Sequence, residues 1–187
     1  AYRVQNINNE LIISGLSEGA SDYKVIKMSL DGNIIWHYSY GGDEEDHCFG
    51  MDVNSNGDIF LAGHTLSGTL NWDTYTVKID NNGNLIWDSI KGNPRGFNPE
   101  YIHDEAWGVK ATDDGGCVLI AGTGDEYEEY SECDGQDCSD VWNAYLIKYD
   151  NYGDASWQKT FSSYEVSEEI YDWAGEYIDL TNDGGGI

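Results

Sequence analysis

Basic residues are scarce in this chain of 187 residues. It holds 9 lysines and arginines against 35 aspartates and glutamates, which gives a formal net charge of −26. Nucleic acids and anionic membrane surfaces are polyanions, so we expect neither as a partner. Cations and basic partners are favoured instead, although solubility or adaptation to salt explains an acidic surface equally well.

Long apolar runs are also missing. No stretch of the sequence approaches the roughly 18 apolar residues that a membrane-spanning helix needs, so we predict no transmembrane segment. The chain begins AYRVQN, with neither Met nor a signal-like segment, which predicts a processed or excised segment.

Cysteine is limited to four positions. Cys133 and Cys138 share a polar loop, where a C-x4-C pair can close a small disulfide in an oxidising compartment. This pair predicts an extracellular or cell-surface protein. A metal site on the same pair is the alternative, but no second Cys or His pair has matching spacing. Cys48 and Cys117 lie in apolar, strand-like runs and are predicted to be buried thiols.

Proline is rare as well, with 2 residues, whereas the chain has 23 Gly, 14 Tyr and 7 Trp. This balance favours many short strands joined by tight turns over long helices. The composition therefore predicts an all-β fold.

Three similar phrases recur along the chain: LDGNIIW at 30–36, NNGNLIW at 81–87 and NYGDASW at 151–157. In each, a turn glycine stands four residues before a tryptophan, and a strand with a lysine precedes the turn. Such self-similarity indicates a repeated structural unit. The equivalent positions are Lys27, Lys78 and Lys148 for the lysine, and Trp36, Trp87 and Trp157 for the tryptophan.

Each repeat is predicted to contain four short antiparallel strands. Tight Gly/Asn/Asp turns follow the first and third strands, and variable loops follow the second and fourth. A unit of this kind is typical of a β-propeller blade. A β-sandwich is the alternative, although a sandwich has no reason to repeat its sequence.

Residues 43–68 and 77–87 resemble the bacterial and archaeal β-propeller repeat family. The resemblance implies a propeller fold and carries almost no information about activity. The chain departs from the family pattern at Cys48, which replaces an Ala, and in a long insertion at 123–143. The matching residues are Asp46 and Asp104, Ala106, Gly63 and Gly122, Thr65 and Thr123, and the pair Gly41 and Gly42.

We predict a single β-propeller segment over residues 1–187, with three complete blades and part of a fourth. The blade repeats span about 1–46, 47–104 and 105–172, and the partial blade spans 173–187. Propellers normally close with about four to eight blades, so we expect a fragment or two copies that complete a ring. The partial blade leaves a strand edge unpaired, and self-association through this terminal edge is one expectation.

The strand directions place both tight turns of each repeat at one end and both variable loops at the other. Most of the 35 acidic residues fall in the variable loops, with Asp46 and Asp104 counted among them. Binding residues on a rigid β scaffold usually lie in such loops. We therefore expect a protein or carbohydrate partner at this acidic loop face.

The insertion holds the densest group of acids. So many like charges repel one another unless they are neutralised, and Ca²⁺ with oxygen ligands would do this. A solvated surface loop pinned by the disulfide is the alternative. The predicted Ca²⁺ ligands are Asp125, Glu126, Glu128, Glu129, Glu132, Asp134, Asp137 and Asp140.

Other candidate sites are weaker. Residues 52–58, DVNSNGD, superficially match a calcium loop, but the repeat alignment places Asp52 inside a strand. The four histidines show no H-x-x-x-H spacing and are predicted to be surface residues. Trp72 and Trp142 flank variable loops, where aromatic rings beside carboxylates suit a carbohydrate; loop anchoring is the alternative.

The sequence carries no nucleophile elbow, metal-binding His pair or phosphate-binding Gly loop, so no catalytic residue is predicted. The favoured function is a non-enzymatic, extracellular binding or structural propeller module, with a Ca²⁺-stabilised loop face that mediates protein or glycan interaction, adhesion or surface assembly. One alternative is a catalytic propeller, a hydrolase or lyase that acts on polysaccharide through its loop-face carboxylates. The other is an oligomerising structural subunit.

Overall fold

The computed structural model describes residues 1–17, 22–93, 102–124, 142–161, 174–181 and 185–186. These residues form twelve β-strands and no helix, which confirms the all-β prediction. The described residues accordingly contain no helix of the length and apolarity that crossing a membrane requires.

The strands form three four-stranded sheets, and within each sheet the strands lie side by side in sequence order. Every described pairing is antiparallel, so the predicted four-stranded antiparallel units are confirmed. Sheet 1 contains β1 (Arg3–Ile7), β2 (Glu10–Leu16), β3 (Tyr23–Ser29) and β4 (Ile34–Tyr40); sheet 2 contains β5 (Asp46–Val53), β6 (Ile59–Thr65), β7 (Asp73–Ile79) and β8 (Leu85–Lys91); sheet 3 contains β9 (His103–Ala111), β10 (Cys117–Gly124), β11 (Asn143–Tyr149) and β12 (Ala155–Phe161).

Tight turns lie at one end of each sheet, which we call the turn end; the opposite end is the loop end. The turn after the first strand uses the left-handed conformation at Asn8 and Asn9 in sheet 1, with φ of 52° and 65°, and at Gly57 and Gly115 in the other two sheets. Asn is among the few non-glycine residues that tolerate this conformation. The first repeat therefore has Asn9, which tolerates this conformation, where the other two repeats have a turn glycine.

Sheet 2 is covered on both sides, because one apolar cluster joins it to sheet 1 and another joins it to sheet 3. Strand β6 divides its side chains between them: Ile59 and Leu61 belong to the first cluster, and Phe60 and Ala62 belong to the second. All seven residues of β6 are buried as a result. Cys48 and Cys117 are free thiols buried in the two clusters, as the sequence predicted.

In sheets 1 and 2, the repeat lysine and tryptophan contact the third-to-fourth strand turn of the next sheet. The Lys27 ammonium donates to Asn81 Oδ1 at 2.8 Å, and the Trp36 indole N–H donates to the Asn81 carbonyl at 3.3 Å. Lys78 and Trp87 contact Asn151 in the same way, at 2.7 and 3.1 Å. We call this arrangement the inter-sheet clamp. It explains why lysine, tryptophan and the turn recur together in the sequence.

The clamp also explains a second demand on the turn glycine. Gly32 and Gly153 both have a left-handed backbone, with φ of 85° and 88°. A Cβ at Gly32 would meet nothing within 4 Å, whereas a Cβ at Gly153 would lie 2.8 Å from Cδ2 of the Trp87 ring. Position 153 must therefore be glycine for its conformation and for the approach of the preceding sheet.

Alanine at these two positions separates the two demands. We expect Gly32→Ala to lower the free energy of unfolding by about 1–2 kcal/mol, the cost of a left-handed alanine. Gly153→Ala should cost about 1–3 kcal/mol more, because the Trp87 ring must also move. Urea denaturation followed by tryptophan fluorescence measures both values. Equal losses in the two variants would contradict the packing role of Gly153.

Candidate binding site at the loop end

The loop end holds two buried carboxylates that brace the connections between sheets. Asp46 Oδ2 accepts a hydrogen bond from the Gly42 amide at 2.7 Å, and Asp104 Oδ2 accepts one from the Asn93 amide at 2.8 Å. Both residues are at most 1 % exposed. Their assignment to the acidic surface was wrong, because backbone amides draw these two carboxylates into the protein.

Aromatic rings gather beside these carboxylates, toward the loop end of the first strands of the sheets. The ring centres of His47 and His64 lie 4.7 and 4.8 Å from that of Trp72 and 5.2 Å from each other. Phe49 continues the contact from His64, at 5.3 Å, to Trp107 at 4.5 Å. We call the six rings of Tyr2, His47, Phe49, His64, Trp72 and Trp107 the loop-end cluster.

Three members of the loop-end cluster occupy equivalent positions on the first strands of the sheets. Tyr2, Phe49 and Trp107 each stand three residues before an equivalent polar residue of their repeat. Tyr2 of sheet 1 contacts Phe49 of sheet 2 at 4.8 Å, and Phe49 contacts Trp107 of sheet 3. The cluster therefore crosses all three sheets. The sequence alignment of these strands contained this signal, but a comparison restricted to tryptophan missed it.

Two histidines depart from their predicted surface location. His64 and His103 are each 3 % exposed. Burial, with a smaller contribution from His47 and His103, lowers the pKa of His64 to about 3. His64 is therefore neutral at physiological pH and serves as a packed ring. His47 is more exposed, and its Nε2 lies 3.6 Å from a carboxylate oxygen of Glu45.

The exposed part of the cluster combines flat rings with carboxylates. Tyr2 is 48 % exposed, and Trp72 and Trp107 are half-buried. Asp73 follows Trp72, and burial raises the pKa of its carboxyl to about 6. The Trp142 ring packs against strand β10, with its Cδ2 2.7 Å from where a Cβ at Gly124 would lie. Of the two tryptophans proposed for carbohydrate binding, Trp72 is the one with described ring contacts in the loop-end cluster.

A row of polar residues links the first strands below the loop-end cluster. Gln5 Nε2 donates to Asp52 Oδ1 at 2.9 Å, and the second oxygen of Asp52 lies 3.8 Å from the Lys110 ammonium. Lys110 also pairs with Asp179 at 3.2 Å. These four residues occupy one repeat position. Asp52 thus belongs to this row and to strand β5, which confirms the prediction that it lies inside a strand.

All of the predicted metal and disulfide residues lie beyond what the structure describes. Cys133, Cys138 and the eight acidic residues of the insertion all fall within 125–141, outside the described ranges. Among the residues that the structure does describe, no group of three or more His, Cys, Asp and Glu side chains is arranged to hold a metal ion. Both the disulfide and the Ca²⁺ site therefore stay predictions.

No protein-family model matches the chain, and no curated protein matches it in sequence.

Proposed function

We propose that the three sheets are consecutive blades of a β-propeller segment, and that its loop end is a non-catalytic binding surface for carbohydrate. The observation that carries the proposal is the loop-end cluster, where partly exposed rings lie among carboxylates. As in the sequence-based expectation, we place the protein outside the cell, stabilised by Ca²⁺ in the insertion.

Repetition of the inter-sheet contacts supports the propeller arrangement. The inter-sheet clamp joins sheet 1 to sheet 2 and sheet 2 to sheet 3 with the same three residue types. The first strands and residues 177–178 line a common cavity of about 140 Å³. Propeller blades pack face to face with their first strands around a central axis, and both features fit this geometry.

The chemistry of the cluster supports carbohydrate as the ligand. Aromatic rings offer a flat apolar surface on which the C–H face of a sugar can lie, while carboxylates accept hydrogen bonds from its hydroxyl groups. Trp72 and Trp107 supply the rings, and Glu45, whose side chain is 58 % exposed, supplies an accessible carboxylate. A neutral sugar also avoids the electrostatic repulsion that an anionic ligand meets near a chain of charge −26.

The proposal predicts that polysaccharide retards the protein in native affinity electrophoresis. Xylan, laminarin and galactomannan cast into the gel are suitable probes, and the high negative charge gives the free protein strong mobility. We expect retardation by at least one of them, and a loss of affinity of at least about tenfold in Trp72→Ala and Trp107→Ala, because a buried aromatic anchor typically contributes more than 1.4 kcal/mol to binding.

The matched control is Tyr152→Ala, which removes an aromatic ring that is 80 % exposed at the turn end. Its affinity should equal that of the unchanged protein. Thermal unfolding of every variant, followed by circular dichroism, separates lost binding from lost folding. Unretarded migration in all three gels, or full affinity in a folded Trp72→Ala variant, would refute carbohydrate binding at this surface.

Asp73 favours a second candidate function, the hydrolysis of polysaccharide. A carboxyl with a pKa near 6 is suited to general acid catalysis, and Asp73 stands next to Trp72. Incubation with the same three polysaccharides distinguishes the two functions. New reducing ends that disappear in Asp73→Asn would favour the hydrolase, whereas binding without new reducing ends favours the binding module.

A further inference from the structure

Arg3 differs in its ion pairing from the three repeat lysines and from Lys110. Lys27, Lys78 and Lys148 each form an ion pair with an acid of their own sheet, at 2.7, 3.2 and 2.8 Å. Lys110 has two acidic neighbours. Within the described ranges Arg3 has no ion pair, although the chain carries 35 acidic residues.

The Arg3 guanidinium instead lies over an aromatic ring. Its central carbon is 5.3 Å from the ring centre of Tyr177, and one of its nitrogens donates a long hydrogen bond of 3.4 Å to the Tyr2 carbonyl. Tyr177 is 69 % exposed. Stacking on a ring covers the face of a guanidinium and leaves the N–H donors at its edge available.

These residues border the cavity of about 140 Å³ between the first strands, which we call the axial cavity. Gly50 and Gly108 occupy the positions equivalent to Arg3, and a Cβ at Gly50 would lie 3.1 Å from the Gly108 Cα. Because neither glycine has a side chain, the first strands of sheets 2 and 3 approach each other closely here. The polar wall of the cavity is completed by Gln5, Asp52 and Lys110.

The two basic residues beside the axial cavity, Arg3 and Lys110, differ in their ion pairs. Lys110 is compensated by Asp52 and Asp179, so the Arg3 charge is the one that lacks a described counter-ion. A guanidinium edge matches the two oxygens of a carboxylate and binds them with parallel N–H···O hydrogen bonds. A cavity of about 140 Å³ is much larger than the roughly 10–15 Å³ that one water molecule requires, so a small carboxylate can enter it.

We propose that the axial cavity is a carboxylate-binding site, in which the Arg3 guanidinium holds the two oxygens of the ligand. The ligand is either a free small carboxylate or the carboxylate end of a larger molecule. This site is independent of carbohydrate binding at the loop-end cluster, and it gives the acidic chain a local affinity for an anion.

Nuclear magnetic resonance titration tests the site at constant ionic strength in chloride buffer. The probes are acetate and its neutral isostere acetamide, followed by N-acetyl-triglycine and its C-terminal amide. We expect saturable shifts of the Arg3 Nε–H and of the Gly50 and Gly108 amides with the two carboxylates, and none with the two amides. If acetate binds and N-acetyl-triglycine does not, the ligand is a small free carboxylate. If both carboxylates bind, the site is open enough to accept the carboxylate end of a larger molecule.

Three variants make the assignment specific. Arg3→Gln should weaken carboxylate binding at least tenfold, while Lys24→Gln, which removes an exposed lysine of β3, should leave it unchanged. Arg3→Lys keeps the charge without the planar fork and should give intermediate affinity. A dispersed spectrum verifies that each variant is folded. Linear shifts without saturation, equal shifts with acetamide, or unchanged binding in Arg3→Gln would overturn the proposal.

Discussion

Replacing Lys78 with methionine should lower the free energy of unfolding by about 3–5 kcal/mol, the usual cost of removing one partner from a buried ion pair. The Lys78 side chain is 3 % exposed, and its ammonium contacts Asp58 at 3.2 Å, the Gly115 carbonyl at 2.9 Å and Asn151 Oδ1 at 2.7 Å. Methionine keeps the apolar stem but leaves these three acceptors without their donor. Urea denaturation followed by tryptophan fluorescence measures the loss.

Lys148 is the matched control, because it occupies the same repeat position in sheet 3. Its ion-pair partner Asp114 is 56 % exposed, so water can replace the lost contact. Lys148→Met should therefore cost no more than about 1 kcal/mol. A Lys78→Met variant as stable as Lys148→Met would show that the inter-sheet clamp contributes little to the cohesion of sheets 2 and 3.

Acidification should destabilise the protein through His64. Its pKa is about 3 in the folded state and about 6.5 in the unfolded chain, so the unfolded state takes up the proton first as the pH falls. The stability that neutral His64 provides is fully present above pH 6.5 and is lost between pH 6.5 and 3. At about 1.4 kcal/mol per pH unit, the loss reaches roughly 3 kcal/mol at pH 4.5.

Asp73 acts in the opposite direction over part of this range. Its pKa is raised to about 6 in the folded state, so the folded protein binds this proton more readily than the unfolded chain does. Protonation of Asp73 therefore adds stability as the pH falls through 6, and it masks part of the His64 effect in the unchanged protein. The two contributions must be separated with variants.

His64→Phe keeps a ring in the loop-end cluster and removes its titration. Subtracting its unfolding free energy from that of the unchanged protein, at each pH from 7 to 4, isolates the His64 contribution. The free energy of unfolding of the unchanged protein should fall steadily relative to that of His64→Phe as the pH drops below 6.5. Asp73→Asn should make acid destabilisation steeper. A constant difference between pH 7 and 4 would mean that His64 is not held neutral by burial.

Turn chemistry explains why so much of the fold could be predicted. A left-handed backbone at Gly83 or Asn9 restricts the choice of residue strongly, so hairpin positions are visible in the sequence alone. The apolar, strand-like runs around Cys48 and Cys117 placed both thiols correctly in the interior. Local rules of this kind hold before any sheet meets another.

The candidate site was harder to predict because its chemistry depends on contacts between sheets. Nothing local distinguishes Asp46, which is buried under the Gly42 amide, from an exposed loop acid. His64 looks polar by residue type, yet it lies between Trp72 and Phe49. The shared repeat position of the lysines was evident from the sequence. The acceptors of Lys27 and Lys78, however, are asparagines of the next sheet, and only the packing of the sheets reveals them.

The inter-sheet clamp gives the order of the repeats a direction. Asn81 and Asn151 present a side-chain oxygen to the preceding sheet, whereas the equivalent position of sheet 1 is Leu30, which is 55 % exposed and has no such oxygen. A gene duplication that placed a copy of sheet 1 after sheet 3 would set Lys148 against leucine. Shuffling of units is therefore not neutral, and one turn residue determines which unit can follow another.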